Sequence, residues 1–164
     1  MTTNVSDYLN VAEKMADLGC QYPNQLALLP VNFKSASSIT ECLQASEAAT
    51  IRKLLVAEGL PLDEIFDQSK RPPYVKNKSY EWAAPIVFIS ASLYSQNPVL
   101  VSVALNILAN YATDFFKGMS GIHEVTLNIV VEKKKSESYK EISYKGPVDG
   151  LKDLPEVIRE VVSE

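Results

Sequence analysis

EVTLNIVVEKKKSESYKEISYKG, residues 124–146, is the stretch from which the fold can be read. Val125, Leu127, Ile129 and Val131 alternate with Thr126, Asn128 and Val130, the period-two pattern of a strand with one buried face. A polar turn, KKSES, follows, and Ile142 and Tyr144 resume the alternation. The pattern predicts a β-hairpin. Downstream, GPVDG turns the chain, and LPEVIREVV sets Leu154, Val157, Ile158 and Val161 on one helical face.

Working upstream, APIVFISASLY (residues 84–94) contains the continuous apolar run Ile86, Val87, Phe88 and Ile89, which predicts a buried strand. It leads into NPVLVSVALNILANYATDFFKG, residues 97–118. Asn97 is a good N-cap, Pro98 suits the first helical position, and Lys117 and Gly118 form a closing signal. These limits predict a helix of about five turns. The order from residue 85 is strand, helix, strand, strand, helix. That order implies an α+β fold: a mostly antiparallel sheet with a C-terminal hairpin, a central apolar helix, and helices on one face.

The N-terminal part, residues 1–60, reads as amphipathic helices. In SDYLNVAEKMADLGC, Ser6 is the expected cap, Tyr8, Val11, Ala12 and Met15 recur at helical spacing, and Gly19 suits the C′ position. YPNQLALLPVNF is an apolar run between Pro23 and Pro30 whose type stays open. SEAATIRKLLVAEGLP offers Ser46 as a cap, a stripe of Ile51, Leu54 and Leu55, and a stop at Gly59-Leu60-Pro61. One domain spanning residues 1–164 is expected from the length.

The central helix is the first functional question. Ser102, Asn106, Asn110 and Thr113 trace one narrow polar stripe, and the rest of its circumference is apolar. Two Asn and a Ser within the segment, with Asp114 at its end, make membrane insertion unfavourable. Two readings remain, a core helix or a helix whose outer face is covered by another chain, with Val99, Val103, Leu105 and Phe115 as interface candidates. A protein partner or a homo-oligomer would supply that cover.

Residues 61–82 read as a basic connecting loop. Lys70, Arg71, Lys76 and Lys78 lie between Asp67 and Glu81 with no acid among them, interleaved with Tyr74, Tyr80 and Trp82, and Pro72-Pro73 forces extended backbone. Lys70, Arg71, Tyr74, Lys76, Lys78 and Trp82 are the candidates for contacting a partner or ligand by charge and stacking. The plain alternative is a solvated loop whose aromatic residues tuck into the domain.

The formal charge of −4 and a pI near 5.1 argue against general binding to nucleic acid or anionic lipid. Two cysteines make no disulfide framework, and MTTNVSDYLN lacks the basic end and apolar run of a signal peptide. A cytoplasmic protein with free thiols is expected. The catalytic inventory is thin. Cys20 ends a helix, where the negative dipole end disfavours a thiolate; Cys42 stands beside Glu41; and His123 is the lone histidine. Zinc would need more ligands, and Asp63, Glu64 and Asp67 read as a solvated acidic face. No catalytic residue, metal or cofactor is expected.

The helix NPVLVSVALNILANYATDFF, the hairpin EVTLNIVVEKKKSESYKEISY and the end GPVDGLKDLPEVIREV resemble the layout of small bacterial effector-associated constant components. The resemblance covers residues 97–164 and rests on element order. It implies a non-catalytic adaptor or regulatory subunit of a bacterial multiprotein system, of the antiphage kind, and assigns no residue a role. The competing function class is a ligand-sensing domain that holds a nucleotide-like anion with Lys70, Arg71, Lys76 and Tyr74.

Overall fold

The computed structural model describes residues 2–75, 82–121 and 123–164. Its strands are β1 (Thr2–Asp7), β2 (Leu26–Leu29), β3 (Leu62–Asp63), β4 (Trp82–Ala83), β5 (Ile86–Ile89), β6 (Val125–Lys134) and β7 (Ser138–Gly146). They form one sheet in the order β1-β7-β6-β5-β2-β3, with β4 also pairing with β6. The long ladders, β1 with β7 and β6 with β7, are antiparallel, as is β2 with β5. The shorter pairings β5–β6, β4–β6 and β2–β3 are parallel. The fold is α+β, and the expected hairpin is β6–β7.

The helices are α1 (Val11–Leu18), α2 (Ala48–Ala57), α3 (Ala91–Gln96), α4 (Val99–Phe115) and α5 (Leu154–Ser163). On one face of the sheet, Leu127, Ile129, Ile142 and Tyr144 pack with Ile51 and Leu55 of α2, Leu105 and Leu108 of α4, and Ile158 of α5. On the other, Ala27, Phe88 and Val130 pack with Val11 and Met15 of α1, Phe33 and Cys42. Helices were expected on one face only. The second layer exists because β5 is apolar at every position and all four of its residues are buried, so both of its faces need cover.

The N-terminal part differs most from its reading. Ser6 does not cap a helix; it lies in β1, opposite Glu141. Asn10 is the cap, accepting from the Glu13 backbone amide at 3.1 Å. Gly19 ends α1 at φ 74° as expected. The open run resolves as β2, so residues 1–60 contribute two strands as well as helices. Ser46 makes no cap either. Glu47 precedes α2 without a side-chain cap bond, and the Ala48 amide donates to the Ala45 carbonyl at 3.0 Å.

Asn97 does not cap α4 with its side chain; it closes α3, its amide donating to the Leu93 carbonyl at 2.8 Å, and Pro98, with helical dihedrals of φ −64° and ψ −22°, stands directly before Val99. Proline at the first helical position costs nothing because its missing N–H would have had no partner. A short helix not expected from the sequence, α3, precedes it. Ser90 caps α3 by accepting from the Leu93 amide at 3.0 Å.

Candidate partner-binding platform

The described part of the basic loop is held by one buried side chain, Gln44. Its amide donates to the Pro73 carbonyl at 2.9 Å, and its carbonyl accepts from the Val75 amide at 2.8 Å. Its Nε2 donates to the Pro72 carbonyl at 2.9 Å. Its Oε1 accepts from Arg52 Nη2 at 3.2 Å. Pro72 and Pro73 bring two carbonyls and no amide donors, so Gln44 meets the hydrogen-bonding need of the pair from one side. Arg52 is braced in turn by Glu64, with 2.8 Å between Nε and Oε1. The contact is an ion pair whose N–H is not aimed for a hydrogen bond.

Pro72 is buried, whereas Lys70, Arg71, Tyr74 and Val75 are exposed. The Lys70 amide closes a 3₁₀ turn on the Asp67 carbonyl at 2.8 Å. Among the described residues neither Lys70 nor Arg71 has an ion-pair partner. Lys76 and Lys78 lie outside the described residues. Trp82 enters β4, opposite Val125.

Two apolar residues extend the platform. Val31 and Leu43 are exposed, and the Val31 amide donates to the Leu43 carbonyl at 2.9 Å. Asn32 locks the pair: its Oδ1 accepts from the Leu43 amide at 2.9 Å and its Nδ2 donates to the Glu41 carbonyl at 2.8 Å. Val31 bonds to Leu43 from a turn, and Leu43 precedes Gln44, which bridges to Tyr74, so Val31, Leu43, Tyr74 and Val75 lie on adjoining segments. Sequence reading missed Val31, Leu43 and Gln44, because their association depends on pairings between separate segments, Val31 with Leu43 and Gln44 with Pro72, Pro73 and Val75.

The apolar helix α4 is placed differently. Val101, Ala104, Leu105, Leu108, Ala109 and Ala112 face the core, and the stripe positions Asn106, Asn110 and Thr113 are exposed. Leu105, at 4% exposed, belongs to the protein's own core and not to an outer face. Val103 and Phe115 are half-buried against the core, and Val99 is 67% exposed. Val99 borders a shallow cleft of about 250 Å³ whose far wall is Pro155 and Arg159 of α5. Among the described residues no helix is long and apolar enough to cross a membrane.

The Cys–His combination does not assemble. Cys20 and Cys42 belong to the cluster around α1, while His123 stacks on Phe116, with 4.5 Å between ring centroids, in the cluster on the opposite face. Burial pushes both thiols up, Cys20 to about 11. Among the described residues no group of three His, Cys, Asp or Glu is placed to hold a metal ion.

A second buried polar cluster went unread in the sequence. Glu132, 2% exposed, accepts from the Ala91 amide at 2.9 Å and the Ser136 amide at 3.0 Å, and from Tyr22 Oη. Tyr22 and Tyr139 hydroxyls lie 2.6 Å apart. Burial, followed by the Glu132 hydrogen bond, holds Tyr22 far above the usual phenol range. The carboxylate thus ties α3, the β6–β7 turn and the segment before β2 together, a fastening role with every oxygen occupied. Comparison with protein-family models, curated proteins and solved structures finds no match.

Proposed function

We propose that this chain is a cytoplasmic, non-catalytic adaptor or regulatory subunit of a bacterial multiprotein system, of the antiphage kind. It docks an acidic surface of a protein partner on the platform of Lys70, Arg71 and Tyr74. The observation that carries this reading is the anchoring of that loop. Two exposed cations without ion-pair partners among the described residues stand on a segment fixed by Gln44, in a protein of net charge −4. A stiff loop loses little entropy on docking, and its local field opposes that of the whole chain. Exposed Leu43, Tyr74 and Val75 supply apolar contact beside the charges.

The test is co-purification with a tagged copy at low and high salt, for the parent and for Lys70→Glu with Arg71→Glu. The expected result is a partner retained at low salt, released by salt, and lost from the double variant with melting unchanged. Equal recovery by both proteins refutes the platform. A small anion released from the denatured parent and missing from the variant supports the ligand-sensing alternative instead.

A further inference from the structure

We propose that the outer edge of β1, unpaired among the described residues, is a self-association surface, pairing antiparallel with β1 of a second copy of this chain. The strand lies at one end of the sheet, and all six of its residues are exposed. Its ladder to β7 runs unbroken from Thr2 opposite Lys145 to Asp7 opposite Lys140.

The direction of its backbone groups follows from the next rung. The Tyr8 amide donates to the Tyr139 carbonyl at 3.1 Å, so by antiparallel alternation Ser6 and Asn4 also bond toward β7. Thr3, Val5 and Asp7 therefore direct their N–H and C=O groups away from the sheet. Proteins commonly guard such an edge with lysine, proline or a bulge. Thr2–Asp7 contains no Lys, Arg or Pro, and its register shows no shift. At the opposite end, β3 is only two residues long.

A second copy is the occupant that the side chains fit. A twofold axis at Val5 sets Val5 against Val5 and Thr3 against Asp7 of the other copy, so that all three outward residues pair. Val5 is 44% exposed yet lies beside fully buried Ile142, which itself neighbours Ile129. The central rung then continues an apolar core row across the axis. No charge repulsion opposes the pairing. Asp7, the one charged residue of β1, is already paired with Lys140 and meets a threonine, so no like charges face each other. A six-residue edge buries well under the roughly 1,200 Å² of a stable interface. The dimer is accordingly weak and concentration-dependent, and it is independent of the Lys70 platform.

The test is sedimentation of the full chain from micromolar to millimolar concentration, with amide exchange measured in parallel. The parent's average mass should climb toward twice that of the monomer, with the Thr3, Val5 and Asp7 amides becoming protected as it does. Val5→Pro removes an outward donor and leaves the β7 ladder intact. It should weaken association at least about tenfold, as expected for two lost hydrogen bonds per dimer, with unchanged melting. If Val5→Pro misfolds, Val5→Lys, which guards the edge without touching the backbone, should give the same loss. A parent that stays monomeric at millimolar concentration overturns the proposal. So does association that survives either folded variant, or that leaves the three amides unprotected.

Discussion

Replacing Gln44 by leucine is the sharpest test of how the platform is held. The variant keeps the two backbone bonds to Pro73 and Val75 and removes both side-chain bonds, to the Pro72 carbonyl at 2.9 Å and from Arg52 at 3.2 Å. The Pro72 carbonyl belongs to a buried residue, and stranding a buried acceptor costs about 1–3 kcal/mol. Arg52 is half-buried and keeps Glu64, so water replaces much of its loss, about 0.5–1 kcal/mol. The sum is about 1.5–4 kcal/mol, or about 3–16 °C in melting temperature for a domain of this size. Urea unfolding measures the stability, and exchange of the Val75 amide reports the loop. The Val75 amide should exchange faster by more than the global loss of stability explains, because the loop opens locally first. A variant within about 0.5 kcal/mol of the parent, with Val75 exchange unchanged, refutes the reasoning that Gln44 anchors residues 72–75.

Glu132→Gln must turn its amide NH₂ toward either the Ala91 or the Ser136 N–H; a loss of about 1–3 kcal/mol in urea unfolding is expected, and stability equal to the parent's would argue against a fastening role. Stability should also decline in alkali. Burial raises Cys20 from 9.0 to about 11 and Tyr111, which also donates to Glu47, from 10.0 to about 12. The folded state holds both protons more tightly, so the contribution is complete below pH 9 and is lost through pH 9–11 for Cys20 and pH 10–12 for Tyr111. Urea midpoints that stay flat to pH 11 would contradict those shifts.

The parts of the molecule legible in the sequence are those whose evidence is local. The alternation of residues 125–131, the apolar run of β5, the proline that opens α4 and the face of Leu154, Ile158 and Val161 are each local signals. Gly19 ended its helix because only its own φ mattered. The polar stripe of α4 correctly marked its outward side, since burial follows angular position on a helix.

What tertiary structure decided is everything that depends on a distant partner. Thr2–Asp7 carries no apolar alternation because none of its side chains is buried; it is a strand through its ladder to β7, and that ladder left Asn10 rather than Ser6 to begin α1. Leu105 and Val99 look alike in sequence, yet packing sent one into the core and the other into solvent. Gln44 gave no signal, because a single polar residue acquires meaning only when Pro72, Pro73 and Arg52 arrive beside it. Periodicity records which way a side chain faces along its own element. Only the folded chain brings together the hydrogen-bond partners that make a loop stiff or leave an edge open.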